Sequence, residues 1–231
     1  MKILCTICAR GNSKGLKNKN IKKISGVPLL KYTIDHALQS NMFNEIVFSS
    51  DDKKMINLSK KFGITNTIIR PNYLASDKAG KLDSIKHAVK KIEKKLAVKF
   101  DVIVDLDVTS PLRTISDIKN AYKLFLKNNA SSVISATLSK KNPYFNQVIQ
   151  KKDGVKLVNA STKYYRRQDT PRVYDLNASI YIYRRNSLLN SNTIYTKGSL
   201  LYIMPAERSI DIDDINDFKY VEYLMKNKNE K

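Results

Sequence analysis

A chain of 231 residues, 42% of them hydrophobic, can bury one good core with a small appended lobe, which excludes two full-sized domains. Its 42 Lys and Arg against 21 Asp and Glu give a formal charge of +21, yet only nine of these cations are Arg and the lysines spread along helical faces such as Lys86, Lys90, Lys91, Lys94 and Lys95, so the pattern argues against nucleic acid and for a small anionic substrate. No apolar run is long enough to cross a bilayer, and residues 1–8 are too short and wrongly flanked for a signal peptide, so no membrane role is expected and the chain is read as cytoplasmic.

Hydrophobic runs then alternate with helical patterns, the signature of crossover units feeding a mainly parallel sheet. The first strand is expected over residues 2–8. It contains Cys5-Thr6-Ile7-Cys8, a C-x-x-C spacing, but thiol redox pairs draw their reactivity from a helix N-terminus, which a strand lacks, so both cysteines read as buried residues. Further strands are expected over 45–49, 67–69, 101–106 and 132–136, and helices over 28–39, 52–62, 82–96 and 115–127. In the third helix Leu82, Ile85, Val89, Ile92 and Leu96 recur at helical spacing and leave lysines outward. His36 and His87 fall on helices away from the loop motifs, and neither reads as a general base. After Ala136 the pattern changes: strand-like pieces at 146–149 and 155–158 flank Lys151-Lys152-Asp153-Gly154, a hairpin signal. Residues 138–175 therefore read as an excursion from the sheet of a single domain spanning 1–231. Strongly β-prone runs at 178–183 and 200–204 and a helix from about 214 to 225 complete an α/β fold.

Three loops could carry chemistry. Arg10-Gly11-Asn12-Ser13-Lys14-Gly15-Leu16-Lys17-Asn18-Lys19-Asn20 follows the first strand, with glycines that admit close backbone approach and cations suited to a triphosphate; its spacing is neither that of a P-loop nor that of a dinucleotide fingerprint. Asp105 to Arg113 ends the fourth strand with carboxylates, hydroxyls and a guanidinium at the same sheet edge, while Thr114 or Ser116 can cap the next helix. In Ser209-Ile210-Asp211-Ile212-Asp213-Asp214, an extended backbone puts Asp211 and Asp213 on one side, as two oxygen ligands for Mg²⁺ require, and leaves Asp214 to cap a helix.

In order and spacing, these loops together with Arg70-Pro71, Leu74-Ala75-Ser76-Asp77, Arg166-Arg167-Gln168 and Asn177-Ala178-Ser179-Ile180-Tyr181 resemble the acylneuraminate (nonulosonic acid) cytidylyltransferase family. The resemblance covers almost the whole chain. It implies a GT-A-like (nucleotide-diphospho-sugar transferase) α/β fold, CTP as a substrate, Mg²⁺, and a homodimer in which the excursion reaches the partner's sugar site. By the same resemblance Arg10, Gly11, Ser13, Lys14, Asn20, Arg70, Asp77, Ala79, Lys81 and Asp107 are expected at the nucleotide. Thr109, Ser110, Arg113, Gln168 and Tyr181 are expected at an acidic nine-carbon sugar. Arg166, Arg167 and Lys19 are expected to be catalytic, and Asp211 and Asp213 to bind metal. Five of the nine arginines fall in these segments, where paired donors suit carboxylates and phosphates.

Two positions depart from the sialic acid pattern: Asp107 stands where those enzymes usually carry Gln, and Asp175 where several carry Arg. An anion in place of a cation near the sugar points to a sugar decorated differently from N-acetylneuraminate. With Asn142-Pro143-Tyr144-Phe145-Asn146 and Tyr174-Asp175-Leu176-Asn177, the chain looks most like the legionaminic acid branch, which serves bacterial surface and flagellar glycosylation. The rival readings are a transferase for Kdo, pseudaminic acid or a sugar 1-phosphate on the same fold, and a basic nucleic-acid-binding module.

Overall fold

The computed structural model describes residues 1–11, 15–76 and 79–228. Its elements run β1 (Ile3–Cys8), β2 (Lys23–Ile24), β3 (Val27–Pro28), α1 (Leu29–Ser40), β4 (Glu45–Ser50), α2 (Lys53–Lys61), β5 (Asn66–Ile69), α3 (Lys81–Leu96), β6 (Val102–Leu106), α4 (Ile115–Lys127) and β7 (Ser132–Leu138). There follow β8 (Val148–Lys151), β9 (Gly154–Leu157), β10 (Tyr174–Arg184), α5 (Arg185–Asn190), β11 (Ser199–Ile203) and α6 (Ile215–Lys228). The expected helices and strands are all present, most within two residues of their expected bounds. The β2–β3 hairpin and α5 are additions, too short to leave a periodic signal.

Seven strands form one sheet in the order β11-β7-β10-β6-β1-β4-β5. Parallel pairing joins β6 to β1, β1 to β4, β4 to β5 and β11 to β7, whereas β10 runs antiparallel to both β6 and β7. The sheet is thus mainly parallel, as expected. Apolar residues of α1, α2, α4 and α6 cover one face, and those of α3 and α5 the other. The two cysteines follow the period-two alternation of a strand: Cys5 lies in the first core and Cys8 packs against the second, on opposite faces where no disulfide can join them. Among the described residues, no helix is long and apolar enough to cross a membrane.

Chain order moves from β1 outward through β4 to β5, then returns to the other side of β1 at β6. Neighbouring loops therefore diverge at the carboxyl ends of β1 and β6, and a crevice opens there. The loop after β6 is anchored by α4, whose Thr114 hydroxyl accepts from the Asp117 N–H at 3.2 Å while the Asp117 carboxylate accepts from the Thr114 N–H at 2.9 Å, a capping box. Thr114→Ala is expected to lower the unfolding free energy by about 1 kcal/mol and Thr114→Ser to leave it nearly unchanged, as read from urea denaturation.

Candidate active site

The crevice is a cleft of about 360 Å³ lined by Arg10, Lys19, Asn20, Arg70, Ala79, Lys81, Asp107, Thr109, Asp211 and Asp213, together with Cys8, Ala9, Leu74, Ser76 and Ser84. Three loops far apart in sequence thus meet where the strand order reverses. Gly11 does not line the cleft, and Ser13, Lys14 and Asp77 lie outside the described residues.

The first loop is pinned from below. Arg70 donates to the Ala9 carbonyl at 3.0 Å and to Asp51 at 3.3 Å, and Asp51 accepts from the Gly11 N–H at 3.1 Å. Asn20 donates to the Arg10 carbonyl at 3.0 Å. Gly15 passes so close to the segment carrying Asp211 and Asp213 that a Cβ there would stand 2.2 Å from the Asp213 carbonyl oxygen, so only glycine fits. The Lys19 ammonium reaches the same segment, donating to the Ile212 carbonyl and to Asp213 at 3.3 Å, and the Ile212 N–H donates to the Thr109 carbonyl at 2.9 Å.

Lys81 bridges Asp107 and, at 3.1 Å, Asp105, which also accepts from the Thr6 hydroxyl at 2.7 Å. Burial alone disfavours the Lys81 ammonium, but Asp107 and Asp105 outweigh it and hold its pKa well above the ordinary lysine value. Burial likewise opposes ionisation of Asp107, yet Lys81 and the bonds from Lys81 and Thr109 win and lower its pKa; for Asp105 burial prevails and the pKa rises. Lys81 also lies 4.3 Å over the Tyr181 ring.

Asp211 and Asp213 differ in setting. Asp213 is exposed and paired with Lys19, whereas Asp211 is mostly buried and its Oδ1 lacks a hydrogen-bond partner. Burial first, and then the Asp107 charge, push Asp211 up to about 6. An orphaned carboxylate oxygen beside a second carboxylate is a donor set that suits a hard divalent cation completing its shell with phosphate oxygens and water. No cluster of three or more His, Cys, Asp or Glu that could hold a metal occurs among the described residues, so such an ion would depend on those outside ligands.

Of the residues expected at the sugar, Thr109 lines the cleft, and the others lie away from it. Ser110, Arg113 and Tyr181 are buried, at 0, 1 and 5% exposure, and do not line the cleft. Ser110 donates to the Asn177 carbonyl at 2.9 Å, and Arg113 donates to the Ser179 carbonyl at 2.6 Å, to Thr33 at 2.7 Å and to the Asp107 carbonyl at 2.8 Å. Burial lowers the Arg113 pKa to about 10. Arg166, Arg167 and Gln168 sit on the excursion instead. Arg167 and Gln168 line a separate depression with Leu138, Ser139, Asn142, Thr170 and Arg172; Arg166 pairs with Asp169 at 2.9 Å and Arg167 donates to the Lys140 carbonyl at 2.7 Å. A cleft shared by Arg10, Asp211 and Arg167 is therefore not formed within one chain.

Sequence reasoning missed Asp51 and Ser84. Asp51 directly follows β4, so the rule that ligands gather at carboxyl strand ends could have found it; Ser84 lies on the core face of α3 and gave no signal.

The family described as Cytidylyltransferase matches residues 4–229. A "CMP-N,N'-diacetyllegionaminic acid synthase" of Campylobacter jejuni is 41% identical over 228 residues, 98% of this chain and 96% of the relative. A "Post-translational flagellin modification protein B" of Campylobacter coli is 40% identical over 227 residues, with the same coverage. Among solved structures, a "CMP:2-keto-3-deoxy-manno-octonic acid synthetase complexed with CTP" superposes with a TM-score of 0.71 over 99% of this chain and 100% of that one; at 17% identity the likeness is one of fold.

A carboxyl that titrates near 6 in the folded chain and near 3.8 in the unfolded one favours folding at pH values below the lower figure, and this contribution is lost as pH rises through the higher one. Asp211→Asn is therefore expected to stabilise the metal-free protein by about 2 kcal/mol at pH 8, with the gain vanishing by about pH 4, in urea denaturation followed across pH. A variant less stable than wild type at pH 8 would contradict this.

Proposed function

Because the chain belongs to the cytidylyltransferase family, we propose that it transfers CMP from CTP to the anomeric hydroxyl of a nonulosonic acid, legionaminic acid foremost, with release of pyrophosphate. The observation that carries this reading is the meeting of Arg10, Lys19, Asn20 and the Asp211–Asp213 pair in one cleft at the point where strand order reverses. The preference for legionaminic acid rests on the identity to the Campylobacter jejuni synthase and on Asp175, an anion on β10 where sialic acid enzymes tend to carry a cation.

A triphosphate and a sugar carboxylate repel each other, so the reaction depends on neutralising and aligning them. Arg10 and Lys19 face the space for the phosphates, and Asn20 braces the loop that carries Arg10. Asp211 and Asp213 would hold Mg²⁺, which when bound polarises a phosphate oxygen and draws off charge as the pyrophosphate leaves. Lys19, already docked on Asp213, stands beside that position and can follow the charge onto the leaving group. The anomeric hydroxyl attacks the α-phosphorus in line with the departing oxygen.

The cations for the sugar carboxylate lie on the excursion, so the reading includes a homodimer in which Arg167 and Gln168 of one copy complete the cleft of the other. What supports this is the state of the β8–β9 hairpin. Among the described residues it pairs with no other strand, and Val148, Ile149, Val155 and, just beyond it, Val158 are exposed. A two-stranded ribbon with apolar residues in water is marginal by itself and gains stability when a second surface covers it.

Two outcomes are expected. Pyrophosphate release should be fastest with CTP and legionaminic acid, slower with N-acetylneuraminic or pseudaminic acid, and negligible with UTP; a preference for UTP or GTP would refute the assignment. Asp211→Ala and Arg167→Ala chains should each be nearly inactive alone, whereas co-expressed they should recover about a quarter of wild-type turnover, because one site of each mixed dimer is then intact.

A further inference from the structure

The carboxylate of Asp117 makes more contacts than the start of α4 requires. Its capping role accounts for the bonds from the Thr114 N–H at 2.9 Å and the Thr114 hydroxyl at 2.7 Å. Three further donors arrive from β11 and the turn after it: the Tyr202 hydroxyl at 3.1 Å, and Nε and Nη2 of Arg208 at 3.0 and 2.9 Å. Asp117 is 1% exposed, and burial, which alone would raise its pKa, is outweighed by the bonds from Arg208 and Thr114, which lower it. The Arg208 donors engage both carboxylate oxygens, a two-point attachment that fixes orientation as well as distance.

Arg208 lies three residues before Asp211. Between them the Ser209 hydroxyl accepts from Asn177 at 3.0 Å and donates to the Pro205 carbonyl at 2.8 Å; beyond Asp211 the Ile212 N–H is tied to Thr109. The short stretch that carries Asp211 is therefore held at both ends, and the Arg208–Asp117 fork is its attachment to α4.

We propose that Arg208 and Asp117 form a positioning pair that holds Asp211 and Asp213 at the spacing a divalent cation requires. This rests on the reading of those aspartates as metal ligands. Neither Arg208 nor Asp117 lines the cleft, so both act through the backbone of residues 209–213.

The test is Mn²⁺ binding to the full-length chain, followed by electron paramagnetic resonance without CTP or sugar, well below the unfolding temperature of each variant. It is paired with the Mg²⁺ concentration that gives half-maximal turnover. Wild type should bind Mn²⁺ and Asp211→Ala should not. Arg208→Ala should weaken binding about tenfold and raise the Mg²⁺ requirement by a similar factor, the range seen when the partners of metal ligands are lost. Arg208→Lys, which offers one point of attachment, should fall between, and it keeps the test usable if the alanine variant folds poorly. Asp117→Asn should behave like Arg208→Ala. A lower unfolding temperature with wild-type Mn²⁺ affinity and Mg²⁺ requirement in all three variants would overturn the proposal. Mn²⁺ binding that survives Asp211→Ala would instead overturn the metal assignment beneath it.

Discussion

The irregularity in β10 is the constraint on which the cleft depends. Pairing with β7 slips between Leu176 and Tyr181, and Ala178 takes a positive φ of 48° to allow it. A left-handed alanine is strained and persists only where its surroundings over-determine it. Here the surroundings do so: the Asn177 carbonyl accepts from Ser110, the Ser179 carbonyl from Arg113, and the Asn177 side chain bonds Ser135 at 2.6 Å and Ser209 at 3.0 Å. One bulge therefore joins the loop after β6 to the segment bearing Asp211, and it does so just after the excursion returns to the sheet.

Held in this way, the cleft can gather charges that would otherwise separate into water. Each cation described there in detail already has a carboxylate nearby: Lys81 has Asp105 and Asp107, Lys19 has Asp213, and Arg70 has Asp51. Such pairing keeps a buried cation charged in the free protein, since an uncompensated charge in that setting would neutralise or draw in water. It also means that the nucleotide meets an arranged set of donors instead of a loose positive field, and positioning of this kind is the main source of rate in phosphoryl transfer.

The alternation of strands with crossover helices, the long helices and the loops that line the cleft were legible in the sequence, because period-3.6 and period-two patterns report burial directly and because ligand loops follow strand ends. The antiparallel sense of β10 was not, since a β-prone run carries no mark of its direction. Arg113 shows the limit for single residues. The resemblance places it at the sugar, while the sequence carries no sign of what the geometry adds, that its guanidinium is bonded to backbone carbonyls and Thr33 around the bulge. Arg167 shows another limit: the sequence indicates an anion-binding cluster, while the single folded chain keeps that cluster apart from the cleft it would serve.

The central claim is that the cleft holds a metal-bound nucleotide and obtains its sugar-binding cations from a second copy of the chain. The most direct measurement is a crystal structure with Mn²⁺ and a non-hydrolysable CTP analogue, the ion located by its anomalous scattering. The account predicts an anomalous peak between Asp211, Asp213 and the phosphates, with Arg167 of a second copy at the sugar side of the cleft. A nucleotide bound elsewhere, a peak remote from both aspartates, or a cleft whose sugar side is closed by its own chain would contradict it.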